Sequence, residues 1–366
     1  MIKARMRSVR NRPRPLRAGA GAGFSRTCRP GLVRAVALAL VLCAAALAAG
    51  CGEKSEPTTP GKPQPFSLAL DFYVNPDHAG IFEAIDNGYF KDAGLDVQPQ
   101  TPSDPSLPIR EVATGRVDLA VSYEPEVLLA HDQGLPVKAV AALVPTPLTS
   151  MIWLKSSGIK SVRDLRGKTI ATAGIPYQEA YLKTILDRAG LSTSDVNTVD
   201  VQQGLLPALI GGKAQAMLGG FLNVEGVDLQ LAGKDPTVIP VNKLGIPTYN
   251  ELVLVANSDT LDSKSQDIRL FLDALQRGTE AAVADPAGAT KDILDAGKGL
   301  DPKTTKAEVK KTLPLLAQKG AKRYGYMDPA QWRKFAQFFA DNGVIKALPS
   351  PDDVLTNDLL PGTQQP

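Results

Sequence analysis

The sequence predicts an α/β protein of two lobes, each built on a mostly parallel sheet with helices on its faces. Three observations predict this. Strand-like runs alternate with short helical segments from Phe66 to about Phe221. One pattern, a helix, a glycine, a basic residue and then a short apolar strand, occurs twice. After a further strand near Leu252 the chain turns predominantly helical. Strands that alternate with helices cannot pair as hairpins, so they line up in one direction and need cover on both faces.

Taken in order, "FSLALDFY" reads as a strand and "AGIFEAIDNGYFKDAG" as a helix stopped at Gly94. "LDVQPQ" follows as a strand, "SLPIREVATGR" as a helix and "VDLAVSY" as a third strand. The pattern restarts at "VRDLRGKTIATAG", continues through the helix "QEAYLKTILDRAGL" and the strand "VNTVDVQ", and reaches "LLPALIGGKAQAMLGGF". "ATGRVDLAVSYEP" and "IGGKAQAMLGGFL" share the repeated pattern, which fits one unit used in both lobes, although βα units also resemble one another by chance. "NELVLVANSDTL" is a strong strand, and apolar residues three and four apart in "DIRLFLDALQRGTEAAVAD" and "PAQWRKFAQFFADNG" mark amphipathic helices. The expected division is residues 66–155 with 252–366 as lobe one and 156–251 as lobe two.

Residues 1–50 are a different material. They hold ten of the 41 Lys and Arg residues and no Asp or Glu, and they end in the apolar run "AVALALVLCAAALAAG". That run is shorter than the roughly 20 residues a membrane-spanning helix requires, so a cleaved export signal is expected. "LAAGC" resembles a bacterial lipobox, which makes Cys51 the candidate lipidation site; plain cleavage at the same place is the alternative. "GEKSEPTTPGKPQP" then reads as a flexible tether over 51–65. The remainder carries 31 basic against 38 acidic side chains, a formal −7 in place of +3 for the whole chain. A folded body of that sign lacks the basic face that nucleic-acid binding needs.

The only cysteines are Cys28, Cys43 and Cys51, so the mature body has no thiol for a disulfide, a metal or nucleophilic catalysis. There is no phosphate-loop motif and no G-x-S-x-G, and the two histidines, His78 and His131, lack metal-ligand spacing. No catalytic residue, metal or cofactor is therefore expected. What remains is a set of polar and aromatic residues at strand ends, where open α/β sheets bind ligands. They are Phe72, Tyr73, Asn75 and His78 after the first strand, Ser122, Tyr123 and Glu124 after the third, Gly174, Ile175 and Tyr177 in lobe two, and Phe221, Asn223 and Glu225 after the later strand. Aromatic faces beside carboxylate and amide groups suit a flat heteroaromatic ligand. Each also has a plainer reading: Phe72 and Tyr73 as core packing, Asn75 as a turn or cap residue, His78 as a structural hydrogen bonder, Glu225 as a solvated helix residue.

The stretches "LDFYVNPDHAGIFEAIDNGYFKDAGLDV", "EVATGRVDLAVSYEPEVLLAHDQGLPVKAVAAL", "LRGKTIATAG", "LGGFLNVEG" and "MDPAQWRKFAQFFADNGVI" resemble the substrate-binding proteins of ABC importers in the thiamine-pyrimidine-precursor group, relatives of the alkanesulfonate, taurine and riboflavin binders. The resemblance implies a type II periplasmic-binding-protein fold, a Venus flytrap, that hands a small molecule to the permease's transmembrane subunits. It implies a monomer, exported and held by a lipid anchor on the outer face of the cell membrane. An aromatic at Phe72 or Tyr73, with Asn75 and His78, would border a hydroxymethylpyrimidine or other aminopyrimidine. Glu225, beside Asn223, would accept from the exocyclic amine. Phe72 stands where the group often has Trp, and Leu222 where it has an aromatic. The same fold also occurs in a fungal pyrimidine synthase with a cysteine-rich iron site, which this cysteine-free body does not match. Riboflavin, alkanesulfonate or taurine remain alternative ligands.

Overall fold

The computed structural model describes residues 62–317, 320 and 322–363. The expected signal, Cys51 and most of the expected tether lie outside these residues. The tether ends earlier than residue 65, because Gln64 already pairs with Leu95 in the first sheet.

Among the described residues, ten strands form two five-stranded sheets. The first contains β1 (Gln64–Ala69), β2 (Leu95–Gln100), β3 (Leu119–Ser122) and β4 (Val137–Val144), and the second contains β5 (Thr149–Leu154), β6 (Thr169–Thr172), β7 (Asn197–Asp200), β8 (Ala216–Phe221) and β9 (Pro236–Pro240); β10 (Leu252–Asn257) returns to the first. Their orders are β2-β1-β3-β10-β4 and β7-β6-β8-β5-β9. In each sheet one strand, β10 or β5, runs against the other four. The two sheets thus share one topology, and the two copies of the repeated sequence pattern end in β3 and β8, which hold the same place in it. Pro99 of β2 and Pro236 and Pro240 of β9 lie in edge strands, and Pro65 lies at the start of β1, before that strand's pairing with β3 begins at Leu68.

The chain crosses between sheets twice. The first crossing is earlier than the sequence suggests: β4 ends at Val144 and β5, expected in lobe one, belongs to the second sheet. Pro145 and Pro147 interrupt what otherwise reads as one apolar run, since a proline cannot continue a central ladder. The return is at Leu252, where β10 begins.

Glu251 ties the two crossings together. Its buried carboxylate accepts from the backbone N–H groups of Leu148 (2.6 Å) and Thr149 (2.7 Å), the Thr149 hydroxyl (2.7 Å) and the Tyr249 hydroxyl (3.0 Å). Trp332 Nε1 donates to Asn250 Oδ1 at 2.7 Å, which fastens the same segment to the helix Pro329–Asp341. Around it, Tyr181, Tyr249, Phe335 and Phe339 pack ring to ring with centroids 4.8 to 6.4 Å apart.

Helices Ala79–Asp86 and Leu261–Ala284 pack face to face on the first sheet. A Cβ on Gly278 would collide with the Gly80 carbonyl oxygen and sit 2.6 Å from the Ala84 Cβ. Glycine is needed there for close approach. Gly278→Ala should therefore cost about 1–3 kcal/mol through overpacking. Calorimetric melting checks this, and an unchanged melting temperature would show that the helices can part freely.

Candidate ligand-binding cleft

The cleft lies between the strand ends of the two sheets. β1 stops at Ala69, before the aromatic residues, so Asp71, Phe72 and Tyr73 lie in the connection and not on the strand expected from "FSLALDFY". The connection ends in a single helical turn, Pro76–His78, capped by Asn75, whose Oδ1 accepts from the Asp77 N–H at 2.9 Å. Proline at the first helical position and asparagine before it are what such a start favours. Asn75 Nδ2 donates to the Tyr73 carbonyl at 3.0 Å, so one amide both caps the turn and braces the aromatic pair. The Phe72 and Tyr73 rings are 4.6 Å apart.

A small cavity, about 20 Å³, is bordered from lobe one by Asp71, Phe72, Tyr73, Asn75 and Tyr123. Lobe two contributes Ala173, Ile175, Tyr177, Gln178, Leu205, Gly219, Phe221, Val224 and Glu225. None of these is Lys, Arg or His. The structure thus brings Phe72, Tyr73, Asn75, Tyr123, Ile175, Tyr177, Phe221 and Glu225 together around one cavity.

Five other candidates stand elsewhere. His78 lies behind the wall, fully buried: Nδ1 accepts the Asn75 N–H at 3.3 Å, so the hydrogen is on Nε2, which donates to Asp71 Oδ1 at 2.8 Å. Its role is to hold Asp71, which also accepts from the Tyr123 hydroxyl at 2.7 Å. Ser122 turns away to donate to Glu126 at 2.6 Å. Glu124 starts the helix Glu124–Asp132 and accepts the Asn250 N–H at 2.7 Å, which makes it part of the crossing. Gly174 is exposed, with φ +76°, and backs onto the Asp200 carboxylate. Asn223 joins the lobes directly, because Nδ2 donates to Asp77 Oδ1 at 2.9 Å and to the Thr312 hydroxyl at 2.8 Å.

Glu225 opens the short helix Glu225–Leu231, and its carboxylate accepts from the Phe221 N–H at 2.7 Å and, across the cleft, from the Tyr73 hydroxyl at 3.3 Å. Burial pushes it up to about 7, against the pull of the backbone donors. Burial and the carboxylates beside Tyr73 hold its phenol well above the usual range, so Tyr73 remains a donor. Just outside the cavity, Asp228 of lobe two and Glu308 of the helix Pro302–Leu316 in lobe one face each other. Burial raises both, and their mutual repulsion raises Glu308 further, to about 8.

Ala173, Gln178, Leu205, Gly219 and Val224 border the cavity without having been singled out as site residues. Paired glycines within the apolar strand "AMLGGF" signal a close approach. Nothing local marks Leu205 or Val224, whose places depend on how the lobes meet. Among the described residues no cluster of His, Cys, Asp and Glu could hold a metal ion, and no helix is long and apolar enough to cross a membrane.

Comparison with known proteins places this geometry in context. Residues 75–289 match the family described as NMT1/THI5 like. A putative thiamine biosynthesis protein of Haemophilus influenzae is 36% identical over 77% of this chain and 88% of its own length. A formylaminopyrimidine-binding protein of Halalkalibacterium halodurans is 36% identical over 62% of this chain and 69% of its own. A 4-amino-5-hydroxymethyl-2-methylpyrimidine phosphate synthase of Saccharomyces cerevisiae is 29% identical over 63% and 70%. The periplasmic aliphatic sulphonate binding protein of Escherichia coli superposes with a TM-score of 0.62 over 81% of this chain and 99% of that one, at 14% identity. Two like-ordered sheets joined by a double crossing are the periplasmic-binding-protein fold, and on its sequence the chain belongs to the NMT1/THI5-like family.

Proposed function

We propose that this protein is the solute-binding component of an ABC importer and captures an aminopyrimidine precursor of thiamine between its lobes. The carrying observation is the composition of the cleft. Aromatic rings from both lobes face a cavity whose charged groups are carboxyls, and one of them, Glu225, is positioned to accept from a buried amine. Such a site fits a flat, neutral or weakly basic ring. A sulfonate would need a cationic partner, and the border offers none. The 36% identity to a protein named for formylaminopyrimidine binding supports the same reading.

The protein acts by binding and not by catalysis. The cysteine-free sequence after Cys51 has no counterpart of a cysteine-rich iron site, and His78 is committed to Asp71. Ligand would stabilise the closed pairing of the lobes, and the closed form would be what the permease's transmembrane subunits accept. Export through residues 1–50 and lipidation at Cys51 would keep a monomeric body tethered on the outer membrane face, near that permease.

Calorimetric titration with 4-amino-5-hydroxymethyl-2-methylpyrimidine, riboflavin and taurine tests the proposal. Binding of the pyrimidine alone is the expected result. Binding of taurine alone would overturn it, and turnover of a bound pyrimidine would move the protein to the synthase class.

A further inference from the structure

We infer that Gln178 is a hydrogen-bond donor of the cleft, selecting ligands that carry an acceptor oxygen as well as the amine that faces Glu225, and that Gly219 is present to give its amide room. The inference rests on the pyrimidine reading above and specifies the ring's second substituent.

Gln178 sits in the first turn of the helix Tyr177–Arg188 and is only 2% exposed, yet it borders the cavity. Its Oε1 accepts the Ala173 N–H at 2.9 Å. That bond settles which end of the amide is which, because a backbone N–H can only donate. The Nε2 end therefore points the other way, against Gly219 of β8. Gly219 has φ +117°, and a Cβ there would collide with Nε2. Glycine inside a strand costs stability, so its presence calls for a reason. Space for a fixed amide beside the cavity supplies one.

Of the other side-chain donors at the border, the Tyr177 hydroxyl stands beside Thr149 and three are used within the protein. Tyr73 donates to Glu225, Tyr123 donates to Asp71, and Asn75 donates to the Tyr73 carbonyl. The Gln178 nitrogen has two hydrogens and donates to none of these groups. Glu225 is held by Phe221, two residues beyond Gly219 on the same strand, a spacing of roughly 6–7 Å. One strand thus meets the acceptor through Phe221 and the donor at Gly219. A six-membered heteroaromatic with an exocyclic amine toward Glu225 and an oxygen-bearing substituent toward Gln178 satisfies both.

The test compares two probes, 4-amino-5-methoxymethyl-2-methylpyrimidine, whose ether oxygen can only accept, and its 5-propyl counterpart, which has the same shape without the oxygen. The wild type is expected to prefer the ether by about tenfold, one hydrogen bond's worth. Gln178→Glu keeps the oxygen that anchors Ala173 and removes the donor, so the preference should vanish or invert. Gln178→Met, which also lacks the donor, should give the same loss of preference. An equal preference in wild type and both variants overturns the inference, as does a wild type that binds both probes equally; the pyrimidine reading survives either result. A wild type that binds neither probe overturns both.

Discussion

Replacing Glu225 with alanine is expected to weaken aminopyrimidine binding by up to about a hundredfold. The carboxylate is fixed by the Phe221 N–H and the Tyr73 hydroxyl, so a ligand amine meets an acceptor that needs no reorganisation. A hydrogen bond to a charged group is worth about 1.5–3 kcal/mol, and its loss also leaves the ligand's N–H and the Tyr73 hydroxyl without a buried partner. Because 1.4 kcal/mol is a factor of about ten in affinity, the upper figure corresponds to about two decades. Glu225→Gln keeps one acceptor oxygen and should lose less. Calorimetric titration decides it. Unchanged affinity in Glu225→Ala would remove Glu225 from the site.

The second large effect is on closure of the unliganded protein as pH changes. Where the lobes meet, the facing groups are mostly carboxyls. Asp77 meets Asn223 across the lobes, with Asp71, Glu225, Glu251 and Glu308 near it. Glu308 meets Asp228, with Asp301 beyond. Burial raises Asp77 well above the usual carboxyl range, Glu225 to about 7 and Glu308 to about 8. Opening the lobes returns such groups to water, where carboxyls titrate near 4.

The sign then follows. A group whose pKa is higher in the closed form binds a proton on closing. Below about pH 4 both forms are protonated and closure is at full strength. From there to about pH 8 the open form has released protons that the closed form still holds, so closure weakens by up to tenfold per pH unit for each proton linked. Acid closes the protein and alkali opens it. Small-angle scattering of the unliganded protein from pH 5 to 9 should show the radius of gyration growing with pH, and Glu308→Gln should flatten that growth. A pH-independent radius would sink the idea. A ligand amine that donates to Glu225 takes over the role of one of these protons, so the liganded protein should respond less.

Much of the fold was legible because it rests on local patterns. The alternation of strands and helices, the glycine stops, and the two copies of the unit ending in β3 and β8 are all written in neighbouring residues. Tyr73, Tyr123, Tyr177 and Glu225 could be singled out for the same reason: each follows a strand or opens a helix, and this topology brings those ends to one cleft. The first crossing was misplaced because "AVAALVPTPLTSMIWL" reads as apolar throughout, and only pairing shows that Val144 and Thr149 belong to different sheets.

By itself, then, the sequence determined the class of architecture, the sign of the body's charge, the absence of thiol chemistry after Cys51 and the set of strand-end residues from which a site could be drawn. The tertiary structure alone decided which of these face the ligand space. Side-chain direction at a strand end depends on the partner it meets: His78 turns back to Asp71, Glu124 to Asn250, and Asn223 across to Asp77 and Thr312. Those partners lie 7, 126, 146 and 89 residues away in the chain, and all but the first are beyond the reach of local pattern. Glu251 and Gln178 owe their roles to the same cause, since a buried polar group is placed by whichever donors and acceptors folding brings to it.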